Sequence, residues 1–457
     1  MTTQRYHFSG IAGAGMNPLA QLMCAWGHRV QGSDRSIDQG KHADLVQRLR
    51  SQGIVIAPQD GQAVIKGLHR FIYSTAVEQD TPEVRAAKNY GIALIPRPAL
   101  LAEVVNAGAP GIAISGTSGK STVTGMVAWI LRCAGYPATV LGGAPLAGEG
   151  SAGGFSAGPR DAAVVAEACE SDGTLIGYRP GIGIIHNISR DHTEVDVLHQ
   201  QFDVFAAQSR VLLVNAGCAE ALKAAHGHAQ CYRYGQGITA AYPLDIIAVG
   251  PVRAQGVVGI PGGADIALDL PQPGAHNLEN ACAATVIAHR LGIDGIIIAD
   301  ALRLFPGVAR RFEVVGMSDA GIRVVDDYAH NGEKIRAAML AAQAGCERLV
   351  AIFQPHGFGP ARFLRDELKA LLPTIMRPLD RFCYSEIYYS GGTVAKDISS
   401  RDLANDLPDR LRCGYAANHQ ELLAWTAENA IPNDTVLLMG ARDPELPRLA
   451  RAIYELL

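Results

Sequence analysis

Apolar positions along the chain recur in two alternating rhythms. "YHFSGIAGAGM" is a short apolar run ending in a glycine turn, "NPLAQLMCAWG" carries apolar residues at helical spacing, and "HRVQGSD" is a second apolar run closed by an acid. Strand, glycine turn, helix and strand make the opening βαβ unit of a dinucleotide-type fold, and "RFIYSTAV" and "GIALIPR" extend it. After the small residues "NAGAPG", the rhythm starts again. "IAISG" reads as a buried strand, and "STVTGMVAWILRCAG" as a helix stopped by Gly135. A glycine-rich interval, Gly142 to Pro159, precedes the strands "AAVVAEA" and "GIGIIHN". A third start follows "LFPGVARRFE", where "IRVVDDYA", "RLVAIFQPH", "RFCYSEI" and "TVLLMGA" are strands separated by helical stretches. The pattern predicts an α/β chain of three domains, 1–107, 108–304 and 305–457, without internal repeats.

Composition narrows the class. A chain of 457 residues, 48% hydrophobic and 18% charged, can bury large cores and has length for roughly three domains of about 150 residues. A net charge of -4 gives no broadly basic surface for nucleic acid or anionic lipid, so anionic ligands must be held by local features. Nine cysteines without a C-x-x-C pair argue against a disulfide framework or a thiolate zinc site. No apolar run reaches the roughly 20 residues of a membrane span, and no signal-peptide core opens the chain. The expectation is a cytoplasmic protein, monomer or homodimer, acting on small molecules.

Two glycine turns carry candidate chemistry. In "ISGTSGKSTVTGM" the phosphate-loop pattern G-x-x-x-x-G-K-[ST] lacks its first glycine, where Ile114 stands. Gly116 and Gly119 still allow the backbone amides to face one point, and the following helix adds its positive end, which suits a polyphosphate. Lys120 would then neutralise phosphate charge and the Ser121 hydroxyl would meet Mg²⁺; a plain strand-to-helix turn is the alternative. "VVAEACESDG" places Glu167 and Glu170 beyond a strand, and "IIHNISRDH" places Asn187, Asp191 and His192 beyond the next. In open α/β sheets such strand ends line the ligand crevice, and carboxylate, imidazole and phosphate oxygens together suit Mg²⁺. The N-terminal "GIAGAGM" has G-x-x-G-x-G spacing, weak support for NAD, with Asp34 either a ribose-binding acid or a turn residue.

These residues carry a resemblance. "HFSGIAGAGM" with "GSD", "YSTAV" with "PEV" and "GIALIPR", "GTSGKST", "EACESDG", "HNISRDH", "GAHNLENACAA", "FPGVARRFE", "DDYAH" and "FQPH", in this order and nearly end to end, resemble the Mur ligase superfamily, the ATP-dependent amide-forming enzymes of peptidoglycan synthesis. The muramate–alanine branch is the most similar. In that family G-T-x-G-K-[ST] is the usual loop, so the missing glycine is a family trait. The resemblance implies a Rossmann-like UDP-binding domain, a central P-loop-type ATPase domain and a Rossmann-like C-terminal domain that closes on ATP. It implies transfer of the γ-phosphoryl group to a carboxylate and attack by an amine on the acyl phosphate, with ATP and Mg²⁺ required. It assigns Gly116, Thr117, Ser118, Gly119, Lys120, Ser121, Thr122, His276, Asn277, Asn280, Arg311 and Asp327 to ATP, and Ser121, Glu167, Glu170 and His192 to metal, with Lys120, Glu167 and His192 catalytic. Gly10, Gly13, Gly15, Met16, Asp34, Ser74 and Arg97 become UDP-sugar contacts, and Tyr328, His330, His356 and Arg362 amino-acid contacts. No lysine occurs between His192 and Lys223, matching a branch that lacks the carbamylated lysine of other members.

Departures cluster at the amine-donor end. The branch usually reads "DDYxHHPTE" and "FQPHRYSR", where this chain has "DDYAHNGEK" and "FQPHGFGPAR"; Gly357 replaces an arginine, and Cys169 an aspartate. An arginine can hold a carboxylate by two hydrogen bonds, a role that Arg362 would have to supply from another position. A ligase for single amino acids, one for a preformed peptide or a related acceptor, a nucleotide-binding regulator without turnover, and a dehydrogenase remain the readings, in that order.

Overall fold

The computed structural model describes all residues except 1–2, 75–76, 79, 150–153, 171–172, 190–194, 238, 390–393 and 409–411. Three sheets form, each flanked by helices. They lie in two compact units: residues 1–248, 254–271 and 275–306 make one, and 249–253, 272–274 and 307–457 the other.

The first sheet has five parallel strands in the order Val55–Ile56, Arg29–Ser33, Arg5–Ser9, Arg70–Tyr73, Ala93–Pro96. The order reverses at Arg5–Ser9, so the turn that follows it sits at a switch point, where such sheets bind ligands. Gly32, on the neighbouring strand, has no room for a side chain: a Cβ there would lie 2.6 Å from Ile11 and 2.7 Å from the Phe8 carbonyl.

Beneath this turn lies a buried polar knot. The Glu83 carboxylate accepts hydrogen bonds from His7 Nε2 at 2.9 Å, Ser9 Oγ at 2.6 Å and Ser33 Oγ at 2.5 Å, and all four residues are buried. Burial alone would raise the Glu83 carboxyl, but the hydrogen bond and charge of His7, then Ser33 and Ser9, outweigh it and hold the group below its ordinary 4.5. The knot ties the ends of two adjacent strands to the helix Pro82–Asn89.

The central sheet is ten-stranded, ordered Ile266–Leu270, Ala254–Val258, Tyr242–Val249, Cys231–Gly235, Val211–Asn215, Ile182–Ile185, Gly111–Ser115, Ala163–Glu167, Ala138–Leu141, Phe155–Ser156. Its middle strands are parallel and mostly apolar, as strands covered on both faces are, with buried polar residues such as Ser115 and Asn215 at their carboxyl ends. An antiparallel pair, Ala254–Val258 with Ile266–Leu270, extends the sheet at one edge and is not evident in the sequence pattern. The helix Arg97–Asn106 shares one apolar core with both sheets through Leu101, Val104, Val105, Ala113 and Val164.

The second unit holds a six-stranded sheet ordered Glu313–Met317, Arg323–Asp327, Thr435–Gly440, Leu349–Gln354, Arg381–Ser385, Cys413–Ala416. Only its first strand is antiparallel, and that strand contains a bulge between Val314 and Gly316. No helix among the described residues is long and apolar enough to cross a membrane.

The polar knot yields a prediction. Because Glu83 titrates lower in the folded chain than in the unfolded one, it adds stability above about pH 4.5 that is lost as pH falls through its folded value. Glu83→Gln should lower stability at neutral pH by about 3 kcal/mol, in line with breaking a buried pair. In urea unfolding, the gap between variant and wild type should narrow progressively as the pH falls below about 4.5. A gap independent of pH would contradict the account.

Candidate active site

The strand Gly111–Ser115 feeds directly into the helix Lys120–Cys133, and the turn between them is set by two glycines, Gly116 at φ 143° and Gly119 at φ 80°. Gly119 is constrained twice. Its backbone is left-handed, and a Cβ would lie 2.5 Å from Asn280 Oδ1 and 2.9 Å from the His186 ring. Ile114 is the fourth residue of the strand and fully buried, so the loop begins after it.

Asn187, just beyond the neighbouring strand, clamps the loop. Its Oδ1 accepts from Ser118 N at 2.8 Å and Thr117 Oγ1 at 3.0 Å, its Nδ2 donates to the Ser118 carbonyl at 3.1 Å, and its carbonyl accepts from Thr117 N at 3.1 Å. Ser189 N donates to Thr117 Oγ1 at 3.1 Å. These bonds fix the path of the loop.

Lys120 folds back over the turn. Its Nζ donates to the Gly116 carbonyl and pairs with Glu170 at 2.9 Å, the two side chains being 14% and 7% exposed. Burial disfavours the ammonium, but the charge of Glu170 outweighs it, with smaller contributions from Cys169 and Glu167, and Lys120 is held above its ordinary value. Ser121 Oγ donates to Glu167 Oε2 at 3.2 Å, and Glu167 Oε1 accepts from Gly143 N at 2.6 Å. Glu167 approaches so closely that a Cβ on Gly143 would meet it at 2.8 Å. Thr122 is half-buried in the first turn of the same helix. Lys120, Ser121, Glu167 and Glu170 therefore meet at the ends of adjacent parallel strands. Asp191 and His192 lie outside the described residues.

Asn277 and Asn280, on the helix Ala275–Arg290, are buried and joined by a bond from Asn280 Nδ2 to Asn277 Oδ1 of 3.3 Å, while His276 is exposed in the first turn. His186, which the motif reading passed over, is also buried here and bonds Tyr234 through Nδ1 at 2.8 Å. Its only trace in the sequence is a polar residue directly after an all-apolar strand.

At the first sheet the N-terminal turn is similarly built. Gly10 N and Ile11 N donate to the Ser33 carbonyl, at 2.8 and 3.0 Å. Asp34 accepts from Ala12 N at 3.0 Å and from Ser36 N at 2.9 Å, so it fixes the turn and caps the short helix Arg35–Asp38. A Cβ on Gly15 would lie 3.2 Å from the Arg97 side chain, and one on Gly10 would be 3.7 Å from Ser74. Gly13 N donates to the Gly10 carbonyl at 3.1 Å, and buried Met16 begins the helix Met16–Ala25. Gly10, Gly13, Gly15, Met16, Asp34, Ser74 and Arg97 thus gather at one strand end.

The second unit brings together another group. Asp327 accepts from Phe312 N and Ala329 N, both at 2.7 Å, and burial raises its carboxyl against the pull of Arg311. Arg310 takes a left-handed φ of 58° and donates through Nε to buried Asp326 at 3.1 Å and through a terminal nitrogen to the Gly440 carbonyl at 2.7 Å. It is a structural residue, while the Arg311 guanidinium lies 5.1 Å from the Tyr328 ring centre. His330 packs edge-on between Tyr328 at 5.5 Å and His356 at 5.6 Å. Burial, with the charges of Lys334, His356 and Arg311, outweighs a bond to the Tyr328 carbonyl and pushes His330 down to about 4, leaving it neutral at neutral pH. Arg362 reaches Asp397 and the Ala395 carbonyl. The departures have local reasons. Asn331 caps the helix Gly332–Gln343 by accepting from Lys334 N at 2.9 Å. Gly357 sits at φ 75°, ψ 144°, a backbone that an arginine would adopt only under strain.

Comparison with known proteins agrees with this architecture. Three family profiles match in order: "Mur ligase family, catalytic domain" at residues 5–108, "Mur ligase middle domain" at 114–288 and "Mur ligase, glutamate ligase domain" at 310–442. A UDP-N-acetylmuramate–L-alanine ligase of Gloeobacter violaceus is 32% identical over 100% of this chain and 96% of its own. One from Xanthomonas campestris is 32% identical over 96% and 93%. Among solved structures, the UDP-N-acetylmuramate-alanine ligase of Thermotoga maritima shares the fold at a TM-score of 0.77 and 24% identity, covering 99% of this chain and 98% of its own. A murein peptide ligase from Psychrobacter arcticus does so at 0.70 and 20%, over 99% and 98%. With all three domains matched in order and such identity over the full length, the chain belongs to the Mur ligase family.

Proposed function

We propose that the chain is an ATP- and Mg²⁺-dependent ligase that joins an amino acid, L-alanine first among them, to the lactyl carboxylate of UDP-N-acetylmuramate in peptidoglycan precursor synthesis. The observation that carries this reading is the meeting of Lys120, Ser121, Glu167 and Glu170 at one helix N-terminus beside a clamped glycine loop. Relatives named for that reaction at 32% identity support the substrate pair. Domains of 1–107 for the UDP-sugar, 108–304 for ATP and 305–457 for the amine donor fit the reading, in a cytoplasmic monomer or homodimer.

The chemistry asked of the chain is positioning and charge neutralisation. The substrate carboxylate attacks the γ-phosphorus and ADP leaves; the amine then attacks the acyl carbon, and the bridging oxygen departs with phosphate. Backbone amides of residues 116 to 121 and the helix end would receive the phosphates, and Lys120 would exchange Glu170 for phosphate oxygen. Among the described residues no three acidic, histidine or cysteine side chains cluster as a metal site. Ser121 and Glu167, 3.2 Å apart, nevertheless give two oxygen donors, which suits an ion that keeps waters and shares phosphate. When bound, Mg²⁺ supplies neutralisation of phosphate charge. Glu170 would join that set only after releasing Lys120, and His192 by family resemblance. His276, Asn277 and Asn280 would face adenine, Arg311 and Asp327 would complete the ATP contacts, and the turn with Asp34, Ser74 and Arg97 would hold the UDP-sugar.

A second reading, a peptide rather than an amino acid as amine donor, is favoured by Gly357 and by the pairing of Arg362 with Asp397. Tyr328, His330, His356 and Arg362 would form the donor site in either case.

Phosphate release with ATP, Mg²⁺ and UDP-N-acetylmuramate, measured against single amino acids and the L-Ala-D-Glu-diamino-acid tripeptide, separates the readings. L-alanine should give the signal; signal only with the tripeptide would transfer the assignment to the second reading, and silence throughout would remove both. Lys120→Ala should lower turnover by about 10²-fold or more with the fold retained, and unchanged turnover would sink the phosphate loop. Arg362→Ala should raise the donor KM about tenfold while leaving the ATP KM unchanged, as expected for a lost bond to a carboxylate. An unmoved donor KM would place the carboxylate elsewhere.

A further inference from the structure

We propose that Tyr234, His186 and Asn280 form a one-way hydrogen-bond chain that fixes the carboxamides of Asn280 and Asn277, making His186 and Tyr234 positioning residues that select the base of the bound nucleotide. The inference rests on the ATP site of the reading above, but not on the acceptor or the amine donor.

The chain runs from one side of the phosphate loop to the helix behind it. Tyr234, on the strand Cys231–Gly235, is 0% exposed, and His186 is 2% exposed. Their rings stack 6.1 Å apart at 10°, with the Tyr234 hydroxyl 2.8 Å from His186 Nδ1. The Nε2 side of the imidazole faces the Asn280 side chain. The same point is the one a Cβ on Gly119 would occupy, 2.5 Å from Asn280 Oδ1 and 3.1 Å from His186 Nε2. Asn280 Nδ2 then donates to Asn277 Oδ1 at 3.3 Å.

Directions follow from the donor inventory. Asn280 presents its oxygen toward Gly119 and the imidazole, and an amide oxygen only accepts, so Nε2 carries the proton. Burial drives His186 down to about 4, so the ring is neutral and has one proton to give. Nδ1 must therefore accept, and the Tyr234 hydroxyl donates to it. Burial also holds that phenol protonated. The reverse tautomer would turn both carboxamides over at no cost in shape. Which edge of Asn277 and Asn280 meets a ligand is thus coupled, through the His186 tautomer, to the hydrogen bond at Tyr234. Adenine offers a donor beside an acceptor where guanine offers two acceptors, so a carboxamide of fixed polarity distinguishes them and a free one does not.

The test is equilibrium binding, by calorimetry on the full chain, of the β,γ-imido analogues of ATP and GTP with Mg²⁺. Wild type should prefer the adenine analogue, and Tyr234→Phe should cut that preference about tenfold by weakening adenine binding while guanine binding changes little. General loosening of the site would weaken both equally, and that result overturns the inference, as would an unchanged preference or a wild type without one. If Tyr234→Phe does not fold, Asn280→Asp decides: its carboxylate cannot donate to Asn277, so the preference should fall similarly, and a retained preference overturns the inference. Failure of ligase turnover with nucleotide binding intact counts against the proposed reaction alone, whereas no nucleotide binding at all would remove the ATP site and this inference together.

Discussion

The proposed nucleotide site is built around one buried ion pair, Lys120 with Glu170, at the start of a helix entered through a left-handed glycine. An ammonium removed from water is costly, and here a carboxylate and the Gly116 carbonyl offset the cost before any ligand arrives. The pair can exist only because Ala163–Glu167 and Ile182–Ile185 flank Gly111–Ser115 in the sheet. One neighbour delivers Glu167 and Glu170, the other His186 and Asn187. In the proposed reading, a polyphosphate binding here would take Lys120 from Glu170, so its binding would rearrange charge already in place.

Much of this was legible in the sequence, for local reasons. A left-handed Gly119 and a helix start leave a signature within seven residues, and the strands around it are apolar enough to be seen singly. The glycine turn after Arg5–Ser9 was legible in the same way, and so was the α/β class. What escaped was contact between elements distant in sequence. Glu83 and His7 are 76 positions apart, and His186 and Tyr234 are 48, so their bonds depend on strand order and register, which periodicity does not encode. The antiparallel pair at the edge of the central sheet was missed because short half-buried strands give little pattern. Arg310 is structural through its bond to buried Asp326, 16 positions away, which its place in the "ARRFE" motif does not reveal.

The donor end shows how a departure from a family pattern can be read physically. Gly357 is not merely an arginine removed; its backbone lies where an arginine would be strained. Asn331 similarly replaces a histidine with a helix cap. Lys120, Ser121, Glu167 and Glu170 meet at the phosphate end, while the departures from the family pattern gather at the donor end.

The central claim is that a carboxylate oxygen of the acceptor becomes the bridge of an acyl phosphate. It is tested most directly by labelling both carboxylate oxygens of UDP-N-acetylmuramate with ¹⁸O and analysing the phosphate released in the complete reaction by mass spectrometry. One labelled oxygen in each phosphate is the result this account predicts, and unlabelled phosphate, showing that water rather than the carboxylate received the phosphoryl group, would contradict it.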